Sequence, residues 1–294
     1  MSTLQNKIDF AVILRVKNAN PNGDPLNGNR PRTDYSNFGE MTDVSIKRKI
    51  RDRLLERWIA DGKNDDGNMI FVQSDDRKAD DAKSLRERAE IVLGKDLATP
   101  KTAEKACEKW IDVRAFGQLF ALKSNKKAGK KKEDGSDEEG DTGVSIGIRG
   151  PVTVQSAFSV EPIDISSVQI TKSVSGEGDG TKRGSDTMGM KHRVDQGVYV
   201  FYGSMNPQLA GRTDFSDADA EAIKKVLPKL FENDESSARP AGSMEVMKVI
   251  WWKHNCKSGQ YSSAKVHRTL TVKPDGSYDL ANLPELVPEE INGF

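Results

Sequence analysis

Asn18-Ala19-Asn20-Pro21-Asn22-Gly23-Asp24-Pro25-Leu26-Asn27-Gly28-Asn29-Arg30-Pro31-Arg32-Thr33-Asp34 contains two Asn-Gly pairs, three prolines and no apolar residue larger than Leu26. Gly and Asn tolerate positive φ, and Pro fixes φ and removes an N–H donor, so the stretch reads as a loop built of turns. It closes on Arg30 and Arg32, either side of Pro31. Successive turns present N–H groups that cradle an anion, and guanidinium forks pair with phosphate oxygens. An ordinary surface loop has the same composition, so the flanking sequence has to decide.

Upstream, Ile8, Phe10, Val12, Leu14 and Val16 alternate with Asp9, Ala11, Ile13 and Arg15, the period of a strand. Downstream, Thr42 and Asp43 supply a cap and a first-turn acid for a helix. Ile46, Ile50, Leu54, Leu55, Trp58 and Ile59 form its buried stripe. Lys47, Arg48, Lys49, Arg51, Arg53 and Arg57 fill the rest, opposed within the helix by Asp52 and Glu56. A basic helix face is usually solvated surface. Joined to a loop with its own arginines, it is expected to form a phosphate-tracking groove.

The totals narrow the function. A chain of 294 residues can bury a sizeable core. Its formal net charge of zero argues against indiscriminate coating of nucleic acid. The charge is uneven, with a basic first helix and acidic stretches over Asp214–Glu235 and beyond Pro274, which suits a subunit that grips a polyanion and docks on its own copies. Cys107 and Cys256 stand far apart, the usage of a reducing compartment. The amino terminus lacks the order of a signal peptide, and no apolar run approaches the roughly 20 residues of a membrane span. A cytoplasmic protein with no membrane partner is expected.

Further along, Ile70-Phe71-Val72 is a candidate short strand, Ala79–Leu93 a candidate helix, and Thr102 the cap of another through Trp110. Arg114 stands beside Asp112 and Phe116, and an ion pair is weighed slightly ahead of a nucleic-acid role for it. Ser124–Gly143, a lysine block followed by an acidic block, reads as a mobile insertion. Val152, Val154, Phe158 and Val160 are expected on the buried face of one strand entered through Arg149-Gly150-Pro151, with Gln155 on the other face. Val198–Tyr202 and Met244–Trp252 are further strands, and Ser216 with Asp219 opens a helix that Pro228 kinks or ends. Val266–Val272 and Tyr278–Leu280 flank a hairpin turn. This order is that of a ferredoxin-like split βαβ sheet, an α+β frame shared by RNA-recognition motifs.

Ile163–Val194 is glycine-rich and ends in Met188-Gly189-Met190-Lys191-His192-Arg193. Soft apolar side chains among cations suit an arm that wedges beside an unstacked base while the cations hold phosphates. A loop with incidental methionines is the plainer alternative.

At this point the sequence resembles a known family. Asn20-Pro21-Asn22-Gly23-Asp24-Pro25, Asn27–Arg32 and the basic helix resemble the amino-terminal signature of the backbone subunit of type I CRISPR Cascade, closest to subtype I-C (Cas family seven, Csd/Csh branch). Arg114-Ala115-Phe116-Gly117, Arg149-Gly150-Pro151 with Gln155, Met188–Arg193 and Gly203-Ser204-Met205-Asn206-Pro207 resemble later blocks of that family, in its order. The resemblance implies a ferredoxin-like (RRM-like) palm with finger insertions and a long thumb loop. Residues 1–60 would be the first half of the palm, 61–150 a finger insertion holding the charged segment 124–143, and 151–162 a palm strand. The thumb would span 163–194, and 195–294 the rest of the palm with a C-terminal hairpin. The implied partners are CRISPR RNA (crRNA), target DNA through the crRNA, copies of the chain in a helical filament, and the Cas family five and eight subunits. No cofactor is implied. RNA contacts would fall to Asn20, Asn22, Arg30, Arg32, Lys47, Lys49, Arg51, Arg114, Phe116, Arg149, Gln155, Met188, Met190, Lys191, His192 and Arg193.

Two other classes stay in view. His192 or Asp24 could serve an endoribonuclease, and a general single-strand-binding protein would also carry the cations. A zinc site from His254, Cys256, His267 and Cys107 matches no strong spacing. Binding without catalysis is the leading expectation.

Overall fold

A computed structural model describes residues 2–122, 144–171 and 188–294. The charged segment expected to be mobile lies outside the described residues, as does the glycine run Gly176–Gly184.

Strand β1 (Ile8–Ala19) is the axis. The signature loop follows, with a two-residue ladder of β2 (Gly23–Asp24) on β3 (Arg30–Pro31), then β4 (Phe38–Met41) and helix α1 (Asp43–Ala60). The next segment carries α2 (Leu85–Leu93), α3 (Thr102–Lys109), α4 (Ile111–Phe116) and a hairpin of β5 (Gln118–Leu122) and β6 (Val144–Ile148). Strands β7 (Val152–Val154), β8 (Ala157–Pro162), β9 (Ile165–Thr171) and β10 (Met188–Met205) come next. Helices α5 (Pro207–Ala210) and α6 (Asp217–Val226) lead to β11 (Met244–Lys253). The chain ends with α7 (Ser263–His267), the hairpin β12 (Leu270–Val272) and β13 (Tyr278–Leu280), and β14 (Glu289–Asn292).

The main sheet is antiparallel in the order β14-β11-β1-β10-β8-β4, with β7 and β9 also on β10. β1 is covered on both sides. Phe10, Val12, Leu14 and Val16 pack with Ile46, Ile50 and Leu54 of α1 and Ile223 of α6, while Ala11 and Ile13 join Val266, Leu270, Leu283 and Leu286. Asp9 belongs to that second face and is fully buried. Its Oδ2 accepts a hydrogen bond from His254 Nε2 at 2.9 Å and pairs with Lys7 at 3.1 Å. Gln260 N–H donates to His254 Nδ1 at 3.0 Å, so the proton of the neutral ring sits on Nε2. Phe71, Trp110 and Phe120 anchor a separate cluster in the segment between α1 and β7.

Several elements differ from expectation: the helix read over Ala79–Leu93 begins at Leu85, and Thr102 lies inside α3 rather than capping it. The strand read through Val152–Val160 breaks at Gln155-Ser156, so its phase slips by one residue. Ala157 and Ser159 turn inward and Phe158 is exposed. Ile70–Val72 is not a strand; the Phe71 and Val72 N–H groups bond to the buried carboxylate of Asp112 instead. Val266 lies in α7 rather than in the hairpin. The Thr42 cap of α1 and the reciprocal Ser216–Asp219 cap of α6 form as expected, and α6 gives way to a 3-10 turn at Leu227–Lys229 around Pro228. Among the described residues no helix is long and apolar enough to cross a membrane.

Candidate nucleic-acid interface

The signature loop is held rigid by its own polar groups. Asn20 is buried, and its Nδ2 donates to the Asn29 carbonyl at 2.6 Å. Asn22 Oδ1 accepts from both the N–H and the hydroxyl of Thr42, at 2.9 and 3.0 Å, and so ties the loop to the start of α1. Asp24 Oδ1 accepts the Leu26 N–H and lies 3.3 Å from Arg32 Nη2. Gly28 and Asn29 take φ of 58° and 59°, the turn that sends the chain back along β3. Asn20, Asn22 and Arg32 thus have structural duties within the loop, and half-buried Arg30 reaches from it to the ribbon.

Arg30 Nη1 donates to Ser167 Oγ at 3.2 Å, and the same hydroxyl lies 2.8 Å from His192 Nδ1. Ser167 and His192 are directly opposed across the β9–β10 ladder. β10 runs for 18 residues, and its pairing with β1 ends at Ala19↔Val194. Met188–Val194 therefore extends as a two-stranded ribbon with β9. The expectation of a loop through Ile163–Val194 is corrected for its described flanks, which are strands. β-branched Ile165, Val168 and Ile170 were the sequence signal for them.

Directly opposed residues of an antiparallel pair share a face. Met188, Met190 and His192 lie on one face with Gln169 and Ser167, beside Arg30. Gly189, Lys191 and Arg193 lie on the other with Ile170, Val168 and Ser166. Met188 and Met190 are 64 % and 55 % exposed. The loop and the ribbon, far apart in sequence, so form one surface of a guanidinium, an imidazole and two flexible apolar side chains. Ser167 and Gln169 are members that sequence reasoning missed.

Helix α1 does not extend that surface. Lys49 is buried and paired with Asp234, and burial pulls its pKa down to about 8 against the attraction of that carboxylate. Arg51 Nε lies 2.9 Å from buried Asp112, with its guanidinium 5.0 Å above the Phe116 ring. Arg114 is buried against Asp219. Of the expected RNA contacts, Lys49 and Arg114 are buried and ion-paired, while Arg51 and Phe116 are half-buried and stacked on each other. Lys47 pairs with Asp43 at 2.9 Å within the helix. Arg149 and Gln155 are exposed, and among the described residues neither side chain bonds to the loop or the ribbon.

The fold and this surface define an α+β protein whose strand-anchored loop and projecting ribbon meet in a cationic and apolar contact face. The profile of the family described as CRISPR-associated protein Cas7 matches residues 6–286, and the chain belongs to that family. A CRISPR-associated protein Cas7 of Haloferax volcanii is 25 % identical over 295 residues, covering 98 % of this chain and 81 % of that protein. Two solved structures are also similar. A chain of a "CRISPR RNA-guided surveillance complex, pre-nicking" has 14 % identity and a TM-score of 0.46, covering 84 % of this chain and 78 % of that one. A chain of a "CRISPR RNA-guided surveillance complex" has 15 % identity and a TM-score of 0.46, covering 92 % and 77 %.

Proposed function

We propose that the chain is a backbone subunit that binds guide RNA in a type I CRISPR surveillance complex of subtype I-C. Copies lie side by side along the crRNA and hold it for pairing with target DNA, alongside the Cas family five and eight subunits, in the cytoplasm. Membership of the Cas7 family supports this reading. The strand order β11-β1-β10-β8, with α1 and α6 on one face, supports a ferredoxin-like palm. The observation that carries the reading is the meeting of Arg30 with Ser167 and His192, because it joins loop and ribbon into one track. There Arg30 faces the ribose-phosphate chain, and Met188 or Met190 wedges beside a base. The protein holds the backbone and base pairing reads the sequence, as in other RNA-guided effectors.

The chain is read as binding RNA without cleaving it, with His192 held by Ser167 in the ribbon and Asp24 held by Leu26 and Arg32 in the loop. The test is purification from cells that carry a CRISPR array. RNA of uniform length, released intact, is the expected companion; protein free of RNA, or bound to RNA of random length, overturns the reading.

A further inference from the structure

The chain holds three Asn-Gly pairs, Asn22-Gly23, Asn27-Gly28 and Asn292-Gly293. In such a pair the glycine amide nitrogen, unshielded by a side chain, can attack the asparagine Cγ, which is why Asn counts among the thermolabile residues. The fold decides where this happens, by how it holds the side-chain amide and the glycine.

Two of the pairs are held. Asn22 Oδ1 accepts from the N–H and the hydroxyl of Thr42, and the Asn29 side chain fills the space beside Gly23. Asn292 Oδ1 accepts from Lys248 Nζ at 2.6 Å, and the Gly293 N–H donates to the Met247 carbonyl at 3.2 Å. The Val246 carbonyl occupies the space beside that glycine.

The third pair is free. Asn27 and Gly28 are both exposed at the tip of the signature loop, and the Asn27 side chain makes no hydrogen bond among the described residues. A Cβ placed on Gly28 would meet no atom within 4 Å, so the glycine stands in open space. Pro25–Asn27 form a single 3-10 turn with no buried side chain, and a turn without packing opens at little cost. Opening lets the Asn27-Gly28 peptide swing its nitrogen toward the Asn27 Cγ.

We propose that Asn27 is a self-modifying site, where the folded chain loses a side-chain amide, and that the product grips RNA less tightly. The Gly28 nitrogen bonds to the Asn27 Cγ, the Cγ–Nδ2 bond breaks, and ammonia departs with the former Gly28 amide proton. Water then opens the cyclic imide. Addition at Cγ restores the ordinary backbone with an aspartate side chain. Addition at the main-chain carbonyl carbon leaves an isoaspartate, with one methylene added to the backbone.

Both products put a carboxylate on the loop that carries Arg30, where it opposes the attraction of that guanidinium for phosphate. The isoaspartate also shifts Asn29, whose N–H donates to the Asp24 carbonyl at 2.8 Å and whose carbonyl holds Asn20. The effect on RNA rests on the proposed function; the conversion does not.

The test follows the three pairs by peptide mass mapping while full-length protein, freed of RNA, stands at mildly alkaline pH beside a urea-unfolded sample. In the folded protein the amide-to-acid mass gain, with its two isomeric peptides, is expected at Asn27 while Asn22 and Asn292 keep their amides. Unfolding is expected to bring all three to similar rates. Aged protein and fresh Asn27→Asp should each bind a short RNA oligonucleotide several-fold more weakly at low salt, a loss that shrinks as salt screens it. Asn27→Gln, whose longer side chain closes the ring far more slowly, should keep its affinity through the same ageing. An amide retained at Asn27, or conversion at Asn22 or Asn292 that keeps pace with it, overturns the site. Full affinity in converted protein overturns the effect on RNA. No RNA affinity in the fresh, unaltered chain overturns the proposed function, and with it that effect, while the mapping still decides the conversion.

Discussion

Arg114 grips Asp219 with two hydrogen bonds, Nε to Oδ2 at 3.0 Å and Nη2 to Oδ1 at 2.7 Å. The same carboxylate accepts the N–H and hydroxyl of Ser216 and so closes the first turn of α6. The guanidinium also donates to the carbonyls of Gly67 and Cys107. One buried side chain therefore fastens the segment after α1 to the helix before β11.

Arg114→Met is expected to cost stability rather than RNA affinity. Removing one partner of a buried ion pair costs about 3–5 kcal/mol, because the other charge stays buried and uncompensated. A lowered urea midpoint with an unchanged salt slope of RNA binding is the expected result. A changed slope with unchanged stability would return Arg114 to the RNA surface.

Arg30 and Lys49 are expected to separate in salt dependence. For a single strand, every phosphate that a cation ceases to neutralise flattens the slope of log K against log salt by about 0.7. Arg30→Ala is expected to flatten the slope by roughly that amount. Lys49→Ala leaves the slope intact and destabilises the fold, since Asp234 is deprived of its buried cation. Equal slopes for Arg30→Ala and the unaltered protein would remove Arg30 from the track.

The contrast shows what could be read from sequence. The Thr42 cap, the Ser216–Asp219 cap and the β1 alternation are local patterns, and each formed where its residues stood. The fate of the α1 cations was not local. Arg51 is matched by Asp112 and Lys49 by Asp234, acids that chain topology alone brings to the helix. A helix read in isolation therefore looked more basic than the folded surface is. The slip at Gln155-Ser156 was hidden because Val152, Val154, Phe158 and Val160 all share one parity, and its one local mark was polar Ser156 followed by apolar Ala157. Arg30 was legible as a loop cation, but its neighbours Ser167 and Gln169 depend on a ladder that no short-range pattern announces.

Acid is expected to destabilise the fold through the cluster beneath α7. Burial pulls His267 below its ordinary 6.5, against the attraction of Asp9. The unfolded chain then takes up that proton first, so stability is lost as pH falls below 6.5. Burial pushes Asp9 up, but hydrogen bonds from His254, Ser263 and Lys7 outweigh it and hold the carboxyl below 3.8. Its contribution is present above 3.8 and is lost as pH falls through the folded value. Urea midpoints measured from neutral pH downward should fall, and His267→Gln should flatten the first part of the decline. Midpoints that rise on acidification would refute the assignment.

Gly203 is expected to refuse a side chain. A Cβ there would collide with the ring of Phe10, which is fully buried and stacked on Trp251 with centroids 5.6 Å apart. Overpacking of this kind costs about 1–3 kcal/mol. Gly203→Ala should lower the urea midpoint by a corresponding amount with an unchanged m-value, and an unchanged midpoint would mean that the ring can yield.

β10 passes from the middle of the sheet into the ribbon as one unbroken strand. Re-aiming the arm near Val194 would strain the ladder that holds β1, so its direction is inherited from the folding of the whole sheet. On the proposed function, the described strands of the ribbon meet the RNA already aimed, and little of their ordering entropy is left to be spent on engagement.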